Sequence, residues 1–297
     1  MAGGLEYKKE TGLVNRQGQG GGCKCRLTLH QDAELQQLLQ AQDFWTTAAV
    51  VGLIVVHFGV YYSQRQVRNK LKKLHLYFYK PQPQDYRRPD NAAEQLQQRL
   101  LAVSDAVQLL GWPIAEVAIG FADESCPQAN ANTARLWSMK PGLKRQVNTS
   151  KLAGHSFGFY ALQGQSYLTP LSDSKADSFV HMLQQVRQVN QNYPHLILIG
   201  DNLPAHKVAV VEQQARQLNI YLLHTPPYSP DLNPIERIWK QIKRSISYTG
   251  FIPDKEHLQQ IININFLKLT QKFSFAQQWL DNILKPVWPN LYKYILN

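Results

Sequence analysis

The amino-acid sequence predicts an α/β fold in which a mixed sheet is flanked by helices and preceded by a small all-α module. Three features carry that expectation. Residues 30–76 place apolar side chains at helical spacing beside a basic face. A Pro-rich, charged stretch follows, KPQPQDYRRPD over Lys80–Asp90. Beyond it, short apolar runs, some ending in an acid, alternate with amphipathic segments. Short alternating or continuous apolar runs suit strands, whereas a 3.6-residue apolar period suits helices.

Residues 1–29 are mostly polar, and Gly18 to Gly22 is interrupted only by Gln19, so a flexible leader is expected there. Residues 30–79 are expected to form a helix-turn-helix module. A first helix over Asp32–Leu39 sets Leu35, Leu38 and Leu39 on one face. A second runs from Thr46 to Val56. His57 to Val60 then turns the chain, with Gly59 free to take the positive φ of a tight helix–helix connection. Ser63 and Gln66 have capping-box spacing and start a third helix, whose buried stripe is Val67, Leu71 and Leu74. Gln64, Arg65, Arg68, Asn69, Lys72 and Lys73 are left for its outer face. Between Tyr62 and Arg88 there are eight basic residues and one acid, Asp85. Such a face fits a helix that reads a DNA groove, and it equally fits the solvated side of a small bundle. On these residues alone both readings stand.

Residues 80–110 read as a linker and a connecting helix, Asn91 to Leu110, stopped by Gly111-Trp112-Pro113. Residues 111–250 read as a second domain. Strands are expected at Glu116–Ala122, Arg135–Ser138, Lys151–Leu162 and Tyr167–Thr169, with a turn at Gln163-Gly164. A helix over Lys175–Val189, a strand at His195–Gly200, a helix over Ala205–Leu218, a strand at Ile220–Leu223 and a helix from Pro234 follow. Antiparallel strands first, then helix and strand in alternation, is the order of the ribonuclease-H-like fold. Residues 251–297 are expected to form a helical extension.

A length of 297 residues allows one large domain or two ordinary ones, and 44% hydrophobic residues exclude wholesale disorder. Lys and Arg outnumber Asp and Glu by 32 to 21, for a net charge of +11, which suits a polyanionic partner without naming one. Cys23, Cys25 and Cys126 are too few for a disulfide framework and wrongly spaced for a four-ligand zinc site, so they read as incidental thiols in a reducing compartment. Ala48 to Val60 is the single membrane-like run. It is shorter than a ~20-residue span and contains His57, so a buried core helix is expected. The first residues have no apolar stretch after their charges and do not resemble a secretory signal. A soluble cytoplasmic protein is the expectation.

Two acids end strands: Asp123 after Val117–Phe121, and Asp201 after Leu196–Ile199. A strand fixes the direction of such an acid while its open end admits substrate. Carboxylates converging in this way can hold two Mg²⁺ ions ~3.5–4 Å apart for phosphoryl transfer. Each acid alone is also an ordinary turn former. The third candidate lies in TPPYSPDLNPIERIWKQIK, Thr225 to Lys243. With Asn233 as N-cap and Pro234 at the first helical position, Glu236 falls at the third. Glu236 therefore either closes a capping box with Asn233 or faces Asp123 and Asp201, and spacing does not choose. Ile235, Ile238, Trp239, Ile242 and Ile246 form the buried stripe of this helix, and Lys240 and Lys243 follow Glu236 where they suit a phosphate. Glu124 points away from Asp123 on an extended chain, and Asp173 and Asp231 are assigned to turns.

Asp201-Asn202 with His206, then Pro226 through Glu236, with Trp239 and Lys243, resembles the catalytic core of mariner-superfamily transposases, in particular their prokaryotic insertion-sequence branch. Asp123-Glu124-Ser125 with Trp137-Ser138 downstream resembles the segment of the family's first acid. The likeness is strong over Val117–Ser247 and looser over Tyr62–Asp90. Thirty-four residues separate Asp201 from Glu236, the spacing of the DD34E type. The resemblance implies a ribonuclease-H-like DDE endonuclease domain. Asp123, Asp201 and Glu236 would be its catalytic carboxylates and the ligands of two Mg²⁺ ions, with Mn²⁺ as a substitute. Asn202 and His206 would support them. Gln64, Arg65, Arg68, Asn69, Lys72, Lys73, Lys240 and Lys243 would contact DNA. The implied function is cleavage and strand transfer of double-stranded DNA at the ends of a mobile element, by a homodimer in a prokaryotic cytoplasm. Two features depart from the family. One helix-turn-helix module fits before the catalytic domain where two are usual, and Gly200 precedes Asp201 where a bulky apolar residue is usual. They keep open a second class: a catalytically inactive DNA-binding protein derived from a transposase.

Overall fold

In the computed structural model, which describes residues 27–79, 84–130, 144, 146–171, 176–201 and 209–297, the chain divides between Gln82 and Pro83 into two units. The described residues of the first hold three helices: α1 (Leu29–Leu39), α2 (Thr47–Phe58) and α3 (Gln64–Lys73). Thr28 and Ser63 each make a complete capping box, with Gln31 and Gln66. The Thr28 cap is why α1 starts three residues before the expected Asp32. α2 runs on through Phe58 and ends at Gly59, whose φ of 64° is the left-handed stop read from the sequence. Leu35, Leu39, Val50, Ile54, Tyr62 and Val67 form the core, with Leu71 and Leu74 packed against it. Lys70 leaves the basic face of α3 to pair with Asp32. The expected burial of the apolar run in α2 holds for one side only, since Val50 and Ile54 are buried and Val56 is 80% exposed. Among the described residues no helix is long and apolar enough to cross a membrane.

The second unit is built on a five-stranded sheet of order β3-β2-β1-β4-β5. β1 (Val117–Ser125), β2 (Ser156–Gln163) and β3 (Tyr167–Pro170) are antiparallel neighbours. β4 (His195–Gly200) and β5 (Ile220–His224) extend the sheet in parallel from the other side of β1. This is the mixed sheet that the element order predicts. Arg135–Ser138, expected as a strand, lies outside the described residues. β2 begins at Ser156 rather than Lys151, because Ala153 makes only an isolated bridge, to Gln128.

Strand alternation sorts the side chains onto two faces. Ala118, Ala122, Phe157, Phe159, Leu196 and Leu198 meet Phe179, Leu183 and Val186 of α5 (Ala176–Val189) and Val211 and Ala215 of α6 (Ala209–Gln217). On the other face Val117, Ile119, Phe121, Tyr160, Ile197 and Ile199 meet α4 (Ala92–Leu109), α7 (Ile235–Tyr248) and α8 (Lys255–Thr270). Helical turns at 277–287 and α9 (Pro289–Leu296) complete that core through Trp279, Leu280, Leu284 and Leu291. α4 is thus more than a connector, since Leu96, Leu100 and Val103 are buried in the same cluster as Trp239.

Candidate active site

Register decides where the first two acids lie. Val117 of β1 pairs with His195 of β4, and Phe121 pairs with Ile199. Continued by two residues, that register sets Asp123 beside Asp201, on strands about 4.8 Å apart. Alternation puts both on the face of Phe121 and Ile199, which is the face covered by α7. β1 runs past Asp123 to Ser125, where pairing with β2 keeps the backbone extended, and Gly158 lies opposite Asp123. Asp201 follows the last residue of β4 and is tied to β5. Thr225 N–H donates to the Gly200 carbonyl (2.8 Å), and His224 Nδ1 lies 2.8 Å from the Asp201 carbonyl. Arg99 of α4 donates to the His224 carbonyl (2.6 Å), so the helix beneath the sheet holds this corner as well.

Glu236 stands in the first turn of α7, and here one expectation fails. Asn233 is not the N-cap. Pro234 takes that place, and no side chain caps the helix. Instead the Asn233 amide reaches across to the Ala122 carbonyl (3.2 Å), one residue before Asp123, so no capping box with Glu236 forms. The stripe of Ile235, Ile238, Trp239, Ile242 and Ile246 is fully buried, as its spacing predicts. α7 can lie this close because β2 offers no side chain at Gly158. A Cβ there would stand 2.8 Å from both Trp239 Cζ2 and Phe266 Cε2.

The three carboxyl groups interact electrostatically. Burial, then the charges of Glu236 and Asp201, hold Asp123 well above the ordinary carboxylate range. Glu236 is also raised, by burial first; the Lys243 ammonium opposes that rise and the Asp201 charge adds to it. Lys243 is half-buried beside Glu236, whereas Lys240 is exposed. Among the described residues, no three His, Cys, Asp or Glu side chains are closed into a ready-made metal cage. The two aspartates share a sheet face, and the charge of Glu236 on α7 acts on Asp123.

Other predicted residues fall into place unevenly. Gln64, Arg65, Arg68, Asn69, Lys72 and Lys73 are all exposed along α3. Asn202, His206, Trp137, Ser138 and Asp173 lie outside the described residues. Alternation along β1 turns Glu124 to the face opposite Asp123. Asp231 sits in a turn of 3₁₀ helix, as expected of a turn residue, but it also accepts a two-pronged contact from Arg88, Nε to Oδ1 (3.2 Å) and Nη2 to Oδ2 (2.9 Å). Arg87 stacks its guanidinium 3.9 Å over the Tyr228 ring. The stretch read as linker therefore docks its two arginines on the loop that leads into α7. Their pairing with an aromatic and an acid more than 140 positions on had no local signal.

Comparison with known proteins agrees with this geometry. Residues 118–259 match the family model of the DDE superfamily endonucleases. The chain is 25% identical over 197 residues to the transposable element Tc1 transposase of Caenorhabditis elegans, covering 62% of this chain and 70% of that protein. Two solved structures share the fold at low identity. The Mos1 transposase paired-end complex with left transposon end has a TM-score of 0.60 and 16% identity, covering 98% of this chain and 87% of that one. The Mos1 mariner paired end complex with Mn has a TM-score of 0.60 and 17% identity, covering 98% and 85%. At such identity the structures speak for the fold alone, and the sequence matches speak for the family. Residues 118–259, which match the DDE superfamily endonuclease model, span both strand-end acids and Glu236, and the chain is similar to a Tc1 transposase.

Proposed function

We propose that this protein is a transposase that cleaves and joins DNA at the ends of a mobile element, with Asp123, Asp201 and Glu236 as its catalytic carboxylates. The observation that carries the reading is the β1–β4 register, which aligns Asp123 with Asp201 on the sheet face that α7 covers with Glu236. The donor set suits divalent Mg²⁺ or Mn²⁺: three hard carboxylates, no sulfur, and two acids whose burial and neighbouring charges call for a compensating cation. Two ions are expected, as three acids from separate elements can bridge a pair. When bound, such ions polarise the scissile phosphate and make a water or a 3′-hydroxyl a competent nucleophile. The chain's own residues supply position. Strand ends fix the two aspartates, α7 brings Glu236 over them, and Lys243 beside Glu236 suits the phosphate of the strand being cut. Lys240, exposed on the same helix, suits a neighbouring phosphate. Bound cations would offset the burial and mutual charge that disfavour ionisation of Asp123 and Glu236.

Residues 30–79 are assigned to DNA binding, with the exposed face of α3 as the reading surface. Residues 111–250 are assigned to catalysis, with 80–110 as connection and 251–297 as a packed extension. Asn202 and His206 are assigned supporting roles next to Asp201. Glu at the third position and the separation of Asp201 from Glu236 favour the prokaryotic insertion-sequence branch, and with it a cytoplasmic site of action. Cutting two ends together favours a homodimer on DNA. The test is a cleavage assay on element-end DNA with Mg²⁺. Wild type is expected to nick the end, and Asp201→Asn to lose cleavage while keeping DNA affinity and fold. Cleavage by Asp201→Asn at the wild-type rate would sink the assignment. DNA binding without cleavage by wild type would favour the inactive, DNA-binding descendant instead.

A further inference from the structure

We propose that Asn233 is a positioning residue for the carboxylate site, tying the end of β1 to the start of α7 and offering a free acceptor oxygen there. The inference rests on the reading of Asp123, Asp201 and Glu236 as metal ligands. Two contacts made by this one residue carry it. Its backbone carbonyl accepts the N–H of Glu236 (3.1 Å), and its side-chain amide donates to the carbonyl of Ala122 (3.2 Å). Asn233 thus touches the backbone of one candidate ligand and of the residue before another.

The Ala122 carbonyl sits just beyond the last β1–β4 pair, Phe121 with Ile199. A buried carbonyl there needs a donor. The Asn233 side-chain amide meets that need and fixes the approach of α7 at once. The remaining oxygen of the amide is the second observation. Asn233 is 5% exposed, and its Oδ1 is buried with no hydrogen-bond partner. An orphaned buried acceptor is costly and is rare without a reason. Because Nδ2 is committed to Ala122, Oδ1 is held in one direction. It suits a donor that enters with the ligands, namely an ordered water of the metal's outer shell. Groups that orient metal ligands in this way typically change metal affinity ~10–100-fold when removed.

The experiment is a Mn²⁺ titration of the full-length protein without DNA, followed by the electron paramagnetic resonance of free Mn²⁺. Wild type, Asn233→Ala and Ile242→Val are compared, with thermal unfolding in EDTA run on each. Ile242 is fully buried on the same helix, so its truncation is a structural control. The expected result is a half-saturation about tenfold or more higher for Asn233→Ala, with Ile242→Val within about twofold of wild type at a comparable loss of melting temperature. If Asn233→Ala does not fold, Asn233→Ser carries the same expectation, because its hydroxyl is too short to reach Ala122. Wild-type affinity in the Asn233 variant, or an equal shift in Ile242→Val, would overturn the positioning role and leave the metal reading standing. Failure of wild type itself to take up Mn²⁺ would overturn the metal reading, and this inference with it.

Discussion

Replacing Asp123 by Asn should stabilise the metal-free protein and abolish its response to metal. Asp123 is half-buried at the end of an apolar strand, and burial, then the charges of Glu236 and Asp201, raise its pKa well above the usual range. An unfolded Asp titrates near ~3.9. Below that pH both states are protonated and the fold bears no penalty. As pH rises through the higher folded-state pKa, the native protein must either hold a proton that the unfolded chain has released or ionise against its neighbours, so stability falls. The size of the repulsion follows from register. Asp123 lies beside the residue that follows β4, and as a scale, unit charges one strand spacing (roughly 5 Å) apart with an effective dielectric near 20 repel by about 3 kcal/mol. An amide keeps the shape and loses the charge, so a net gain of about 1–3 kcal/mol is expected at pH 8. For a unit of this size that is roughly 2–10 °C in melting temperature. The assay is thermal unfolding at pH 5 and pH 8, in EDTA and in saturating Mg²⁺. Asn should raise the melting temperature in EDTA, more at pH 8 than at pH 5, and Mg²⁺ should raise only wild type. A lower melting temperature for the variant in EDTA at pH 8, or a difference independent of pH, would refute the electrostatic account.

Two glycines near the site should respond in opposite directions. Gly158→Ala drives a methyl into Trp239 and Phe266, an overpacking cost of about 1–3 kcal/mol, whereas Gly200→Ala meets only Leu198 at 3.6 Å and the Ala122 carbonyl at 3.7 Å and should be neutral or gain about 0.4–1 kcal/mol. Urea midpoints compare them, and equal losses would mean that the fit over Gly158 is not what admits α7. In the first unit, Lys72→Ala with Lys73→Ala should reduce the log–log salt slope of DNA binding by about 0.9 per lost phosphate contact, with little change in sequence preference. An unchanged slope would make these two exposed lysines a solvated face and nothing more.

What the sequence made legible was local or repeated. The capping box at Ser63, the left-handed stop at Gly59 and the apolar stripe of α7 all follow rules that act within a turn or two, whereas the box at Thr28 went unread. The acids at Asp123 and Asp201 were legible because each ends a continuous apolar run. Asn233 misled for the same reason. Its spacing to Glu236 is that of a cap, but the Ala122 carbonyl, 111 positions away, competes for the same amide and wins. A side chain has one amide to give, and a buried strand carbonyl with no water at hand is the costlier group to leave unpaired. Gly158 was hidden in a β-rich run because its role depends on which indole lies above it, and Arg88 because its acid lies on another loop.

These non-local features share a physical task. Acids whose burial and mutual charges disfavour ionisation oppose folding, so the surrounding structure must hold them together against their own repulsion. The fully buried stripe from Ile235 to Ile246 anchors α7, and the bare backbone at Gly158 lets Trp239 seat directly on the sheet. Asn233 joins the helix to β1, Arg88 fixes the loop before it, and Arg99 holds the corner after β4 through His224. Each constraint, whether apolar packing, a hydrogen bond to backbone or an ion pair in the loop, acts on the segments that carry Asp123, Asp201 and Glu236.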